Sequence, residues 1–285
     1  DKAKINGADI DILLADSVHE DSTESKVFWK IQADLAEVSN SKIHLHGKGM
    51  DLSTDIKKLK AENGYFDLGK SEYKIARAEL TETDFTYPPL VSLSKTYAEV
   101  DSIYFCPPNI SAQIAHLKLK DNTYGLELKD LNGLFAMDST SIKVNTLQLE
   151  TKYSKLKAGL DMDLNAFEEV NPGYFRVAYD ATIGKGDIAL FNKYLPKGYL
   201  NKLPNKPIVS NACVKGTWRN ATIDYFDLSI PNTFAAHVDG KITNNKGRMD
   251  NLYAYNTQLK ANLNSPNIDF FTQFVDPKML AGTGV

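Results

Sequence analysis

Two imidazoles two residues apart are the nearest approach to a chemical motif in this sequence. In His44-Leu45-His46 both rings point to one side of an extended strand, a geometry that ligates a metal when a third donor arrives from elsewhere. Ile43, Leu45 and Gly47 take the other side, so the histidines are expected on a wet face, holding no metal. His19, His116 and His237 stand singly, with no Ser, Cys or carboxylate at motif spacing, and predict neither a triad nor a general-base pair. Asp9-x-Asp11 and Asp161-x-Asp163 set carboxylates two apart, as some catalytic and calcium sites do. Asp161 and Asp163 alternate with Leu160, Met162 and Leu164, however, which makes them the solvent side of a strand, and the Asp-x-Asp-x-Asp-Gly calcium loop is absent. Cys106 and Cys213 lie outside any zinc or redox-dithiol spacing. They form either one disulfide or, as the commoner case for free cysteine, two buried thiols.

Phosphate loops, GxGxxG turns and Gly-x-Ser-x-Gly elbows are all missing, and Gly184-x-Gly186 is better placed as a hinge between strand and helix. Trp29 and Trp218 offer flat faces for stacking a sugar, although such a residue more often seals the end of a sheet. No catalytic residues emerge, and the chain is expected not to be an enzyme and to need no cofactor. With 33 basic against 36 acidic side chains among 285 residues, the net charge is −3, leaving no basic field for a nucleic-acid partner. Apolar residues make up 42% and aromatics 10%, which excludes disorder over most of the length. The longest apolar runs, such as Ile12-Leu13-Leu14-Ala15, fall far short of the roughly 20 residues of a membrane-spanning helix. An opening at Asp1 with no apolar leader segment is what a mature form or a piece of something longer would show.

The elements that would position any site are strands. Phe175, Val177, Tyr179, Ala181 and Ile183 alternate with Arg176, Ala178, Asp180 and Thr182, as a strand with one dry face requires. The comb recurs at Leu156, Ala158, Leu160, Met162, Leu164; at Phe234, Ala236, Val238, Gly240, Ile242; and at Leu259, Ala261, Leu263. Shorter combs run from Ile43 to His46, Ile114 to Leu119, Leu126 to Leu131, Ile142 to Leu149 and Ile223 to Ile230. Asn63-Gly64, Asn132-Gly133, Asp138-Ser139 and Pro231-Asn232 punctuate them as hairpin turns. Strands covered on both faces would read as unbroken apolar runs, so the pattern argues for an antiparallel sheet with one dry side.

Helical spacing interrupts the combs twice. It predicts short helices over about 186–196 and 267–275, with Asp187 and Asn267 as N-caps. The first unit of strand and helix overlays the second without a gap, Ala181-x-Ile183 onto Ala261-x-Leu263 and Phe191-x-x-Tyr194-Leu195 onto Phe271-x-x-Phe274-Val275. Repeated elements that cannot close their own apolar face stack on their neighbours. The expected organisation is strands of uncertain assignment over 1–40, one or more β-rich repeat units over 41–165, and a further β-rich unit with the helices over 166–285.

Val100-Asp101-Ser102-Ile103-Tyr104, Gly125-Leu126-Glu127-Leu128, Leu131-x-Gly133-x-Phe135-x-Met137-Asp138-Ser139 and Leu147-x-Leu149-Glu150-Thr151-x-x-Ser154-x-Leu156 resemble the TamB (translocation and assembly module) proteins of the Bacteroidota, part of the AsmA-like group. The likeness runs over roughly residues 40–280 through Gly159-Leu160-Asp161-Met162-Asp163, Phe191-x-x-Tyr194-Leu195-Pro196 and Gly216-x-x-x-x-Ala221. The resemblance implies an all-β, mainly antiparallel fold: an elongated, curved, β-taco-like sheet with a few short helices. It further implies an internal segment of a periplasm-spanning protein, tethered to the inner membrane by a segment outside this chain. Lipid acyl chains would travel along its apolar trough toward the outer membrane, where a barrel-assembly-type protein would meet regions outside this chain. Alternation selects Leu156, Ala158, Leu160, Phe175, Val177, Tyr179, Phe234, Ala236 and Val238 as the residues lining that trough. The rival expectation is a cell-surface β-sandwich or solenoid that binds glycans or a partner protein through Trp29, Trp218 and Tyr253-x-Tyr255.

Overall fold

The computed structural model describes residues 1–13, 29–47, 49–195, 197–244 and 255–264. The fold is all-β and mainly antiparallel, and the short helices among the described residues lie in the second half. Two compact units make it up, Asp1–Lys152 and Tyr153–Val285. The division falls at neither 40 nor 165, because residue 40 lies within a strand and residue 165 within a turn.

The first unit contains β1 (Lys2–Asn6), β2 (Asp9–Leu13), β3 (Lys30–Gly47), β4 (Met50–Asp67), β5 (Glu72–Tyr87), β6 (Val91–Cys106), β7 (Asn109–Asp121), β8 (Glu127–Met137) and β9 (Ser141–Thr151). From β3 to β9 each strand pairs antiparallel with the next, while β1 and β2 both lie parallel to β3. Strands β3 to β6 are 16 to 18 residues long, against about 5–6 in an ordinary sheet. They reach that length by bending. Six non-glycine residues inside the strands take left-handed backbone angles: Asn40, Asn63, Glu82, Lys95, Ser102 and Thr146, with φ from 45° to 55°. All six are exposed, whereas the residue that follows turns inward: Ser41, Gly64, Thr83 and Thr96 are buried.

Each bend replaces a two-residue step by a three-residue one. In β5, Leu80 and Thr83 share a face across Glu82; in β6, Val100 and Ile103 do so across Ser102; in β9, Val144 and Leu147 do so across Thr146. The dry face therefore remains the dry face on both sides of every bend, despite the pleat that would otherwise send it outward. Hydroxyls close two bends, Ser41 Oγ donating to Ser39 O at 2.8 Å and Thr83 Oγ1 to Thr81 O at 3.3 Å. The registers align the bends across neighbouring strands in two rows, Asn40 with Glu82 and Lys95, and Asn63 with Ser102 and Thr146. Because the outer corner is exposed and the inner corner buried, the sheet of this unit curves around its apolar face.

Asn63-Gly64 and Asn132-Gly133, expected as hairpin turns, thus lie inside β4 and β8. Asp138-Ser139, also expected as a turn, does join β8 to β9, and aspartates close this turn and the one after β7. Asp138 accepts the N–H groups of Thr140 and Ser141 at 2.7 and 2.8 Å, and Asp121 those of Thr123 and Tyr124 at 2.9 and 3.1 Å. The Thr140 hydroxyl and these N–H donors favour the charged carboxylate and bring the Asp138 pKa down to about 2.

The second unit holds β10 (Lys155–Asp163), β11 (Phe175–Ile183), α1 (Lys185–Leu190), α2 (Tyr199–Lys202), β12 (Ile208–Thr217), β13 (Asn220–Ile230), β14 (Phe234–Asn244) and β15 (Tyr255–Asn264). Its strands form one antiparallel meander in chain order. The helix expected over 186–196 is broken into α1 and a 3-10 turn, Asn192–Tyr194, ahead of α2. Gly184, not Asp187, stands at its N-cap, and Asp187 falls in the first turn. Close packing explains the glycine, since a Cβ at Gly184 would sit 2.3 Å from Tyr153 O. The helix expected over 267–275 lies outside the described residues, while Ala261 and Leu263 of the same repeat copy fall in β15. Both thiols are free, Cys213 buried and Cys106 partly so.

If the bend requires a left-handed backbone at Ser102, Ser102→Val should destabilise the chain by about 1–2 kcal/mol, the penalty for a β-branched residue there. Ser102→Gly should stay within about 0.5 kcal/mol of the parent, because glycine adopts this angle freely. Urea midpoints of the two variants measure the difference; equal midpoints would show that the angle is not enforced.

Candidate functional site

In the second unit the pairing registers put the apolar combs side by side. Leu156 pairs with Ala181, Ala181 with Ser210, Ser210 with Leu228, Leu228 with Ala236 and Ala236 with Leu263. One step along the strands, Ala158, Tyr179, Ala212, Phe226, Val238 and Ala261 form the next row; Leu160, Val177, Val214, Ile223, Gly240 and Leu259 form a third. Met162, Phe175, Gly216, Ala221 and Ile242 complete a fourth. A directly opposed pair shares a face. All nine trough residues chosen from alternation consequently lie on one side of one sheet, Phe234 joining through its pairing with Ile230.

Keeping β13 in step takes a bulge. Ile223 and Phe226 are three residues apart, yet pair with Val214 and Ala212, two apart, so Asp224 and Tyr225 share the opposite side near Cys213. Were β13 to alternate strictly from Ile223, its second half would present Tyr225 and Asp227 to the apolar face in place of Phe226 and Leu228.

Among the described residues, no second layer lies over the face. Among the four rows only Ala181, Ser210 and Ala212, at 5%, 5% and 3% exposure, are buried, while Val177, Leu259 and Leu263 are 38%, 42% and 62% exposed. The strand ends are built up instead. At one end Trp218 Nε1 donates to Glu168 O at 2.6 Å and the indole is buried; at the other, Lys185 Nζ of α1 donates to Leu203 O at 2.7 Å. Trp218 thus seals a sheet end and offers no platform for stacking, whereas Trp29 is 70% exposed. Tyr253 lies outside the described residues.

The reverse side of the sheet is polar and cross-linked. Lys215 pairs with Asp224 at 2.7 Å, and Asp224 also accepts from Cys213 Sγ at 3.6 Å. Both shifts follow from that contact: the Lys215 hydrogen bond lowers the Asp224 pKa, and Asp224 raises that of Lys215. His237, scattered and partnerless in the sequence, bonds Asp227 at 2.6 Å and faces Asp239 at 3.5 Å. The Asp227 hydrogen bond, then the charges of Asp227 and Asp239, outweigh desolvation and raise its pKa.

The first unit carries the same two-sidedness over a larger area, which the sequence combs only partly disclose. Ile31, Phe66, Tyr73, Phe105, Ile110, Met137 and Ile142 make one row on its concave face. The rings of Phe66, Tyr73 and Phe105 neighbour one another at centroid distances of 6.1 and 5.7 Å, tilted by 54° and 36°. Only Ile56 and Leu128 are buried among its described apolar side chains. His44 and His46 lie on the convex side, where Asp11, which the sequence sets beside Asp9 and not beside the histidines, joins them. His116 meets Asp130 at 3.0 Å. Among the described residues, no helix is long and apolar enough to cross a membrane.

Comparison of the chain with protein-family models, curated proteins and solved structures yields no match.

A raised His237 pKa means that its pairing stabilises the fold fully below the ordinary value of 6.5 and that this contribution disappears as pH rises through the folded value. The urea midpoint of the parent should therefore exceed that of His237→Gln most at about pH 5.5, with the gap shrinking toward pH 8. A gap that does not change with pH would mean that Asp227 and Asp239 do not hold the imidazolium.

Proposed function

We propose that this chain is a non-enzymatic, internal segment of a TamB/AsmA-like protein of the periplasm, which shelters lipid acyl chains on the apolar faces of its sheets during inner-to-outer membrane transport and outer-membrane assembly. One observation carries the proposal: in-register rows of apolar side chains form a continuous face that no second layer covers among the described residues. At about 4.8 Å between strands and 6.7 Å between same-face residues, the four rows of the second unit extend roughly 24 by 20 Å. The concave face of the first unit extends roughly 29 by 50 Å along its surface on the same spacings, on the order of 1,000 Å2 and larger than the apolar patches soluble monomers usually expose.

An alkyl chain suits such a surface because it asks for no hydrogen-bond partners, and each methylene removed from water contributes about 0.8 kcal/mol. The rows offer none in return, apart from the Tyr179 hydroxyl, which bonds Ser210 Oγ at 3.0 Å while Ser210 bonds Asp227 O at 3.0 Å. The headgroup of the lipid would remain at a rim or in water, so the face selects for chain rather than headgroup. Small residues along the rows, Ala158, Ala181, Ala212 and Ala236, leave depth beside Leu156, Leu160 and Phe226. Association with an outer-membrane barrel-assembly protein would fall to regions outside this chain. The exposed indole of Trp29 is by itself a thin basis for the glycan-binding alternative, since Trp218 is occupied by Glu168.

Val177→Asp and Leu160→Asp each put a charge into the third row. Both should reduce the lipid that co-purifies with the chain, read by native mass spectrometry, by about tenfold or more, as expected when a buried methylene contact is exchanged for a carboxylate whose desolvation costs several kcal/mol. Asp161→Asn, on the polar side of the same strand, should leave it unchanged. Circular dichroism run in parallel separates loss of lipid from loss of fold; a folded Val177→Asp chain that retains its lipid would overturn the proposal.

A further inference from the structure

The convex side of the first unit brings together three donors from two strands. The parallel register sets Asp11 of β2 opposite His44 of β3, with Leu13 opposite His46. Asp11 Oδ1 stands 2.9 Å from His46 Nδ1 and 3.6 Å from His44 Nδ1. The three ligand-type atoms fall within 4.8 Å of one another, and the two imidazoles stack at a centroid distance of 4.7 Å.

The hydrogen bonding around this cluster leaves lone pairs pointing inward. Asp51, across the β3–β4 hairpin, lies 2.8 Å from His44 Nε2. A carboxylate only accepts, so Nε2 carries the proton and, in the neutral ring, Nδ1 is bare toward Asp11. His46 Nδ1 is screened from solvent and forms no hydrogen bond, its 2.9 Å approach to Asp11 being out of line. Two bare or unsatisfied ring nitrogens facing one carboxylate oxygen repel unless a positive charge lies between them. A carboxylate behind a ligating imidazole is also the usual outer partner of a metal-bound histidine, fixing the tautomer and the ring orientation.

We infer that Asp11, His44 and His46 form a binding site for a divalent transition-metal ion of the zinc class, with Asp51 as its positioning residue. Two imidazoles and one carboxylate make a borderline donor set suited to Zn2+, Ni2+ or Cu2+, and too poor in oxygen for Ca2+. Water fills the remaining position, since the site lies on an open sheet surface where Asp11 is 67% exposed. The ion's role follows from the topology. β2 is a five-residue strand whose described pairing is with β3 alone, and parallel pairing is the weaker kind per residue. A metal bound by Asp11 and both histidines clips that strand to the sheet.

Zn2+ titrated by calorimetry into the full chain, carrying no polyhistidine tag, should saturate at one ion per chain. Asp11→Asn and His46→Gln should each weaken binding by more than tenfold, and Asp51→Asn by about 10- to 100-fold. His116→Gln, which removes another aspartate-paired histidine, should leave it unchanged. In the parent chain, Zn2+ should slow hydrogen exchange at the amides of residues 9–13, a readout that does not depend on any variant folding. Absence of a saturable Zn2+ isotherm, Asp11→Asn binding as tightly as the parent, or unaltered exchange over residues 9–13 in saturating Zn2+ would each overturn the inference.

Discussion

The pleat of a β-strand reverses its face at every residue, and everything in this protein depends on how the chain lives with that constraint while bending. A strand that simply curved would keep its alternation, but a sharp corner adds a residue and would exchange inside for outside. At each corner in the first unit two consecutive residues face out, the second of them left-handed, before the apolar sequence resumes. The cost of the left-handed angle, of order 1–2 kcal/mol for a residue with a side chain, is offset where hydroxyls such as Ser41 and Thr83 recover the lost ladder bond. In the second unit the bulge at Asp224 and Tyr225 meets the same requirement. Corners and bulge are devices for keeping one side of a sheet uniformly apolar.

A sheet of this kind is an incomplete core. Ordinary domains bury the apolar side of a sheet against a second layer; here the backbone ladders and cross-strand pairs hold the sheet together while the side chains remain half-covered. The polar side contributes a network of neighbouring charges, Lys60 with Glu62, Arg77 with Glu99 and Lys215 with Asp224, of the surface type that adds little individually. Its larger effect is to mark that side as permanently wet. The apolar side is then the natural place for a ligand with no hydrogen-bonding demands, and the metal cluster of Asp11, His44 and His46 belongs to the wet side, where it acts on the sheet's edge and away from that ligand.

Much of the second unit could be read from the sequence, because its strands are short and alternate cleanly: Phe175 to Ile183 and Phe234 to Ile242 needed only the pairing registers to become rows. The first unit was less legible for a definite reason. A three-residue step breaks a strict period of two, so β5, from Tyr73 to Phe85, loses its comb at Ala76-Arg77 and again at Thr81-Glu82 and hardly registers as a strand. Asn63-Gly64 has the composition of a hairpin turn, but asparagine tolerates left-handed angles in a bend as well as in a turn, and local sequence does not separate the two. Asp11 stood out only as a partner of Asp9; its approach to His44 and His46 depends on a parallel pairing between residues 33 apart, which leaves no mark on spacing.

The central claim is that the apolar side is open to lipid and the polar side is not, and it can be measured residue by residue. With the chain loaded with a deuteration-selected phospholipid, nuclear Overhauser contacts from acyl methylene protons should reach the methyl groups of Leu160, Val177 and Val238. None should reach Ala178 or Ala235, which the same registers place on the reverse side. Contacts distributed equally over both sides, or confined to Ala178 and Ala235, would contradict the account.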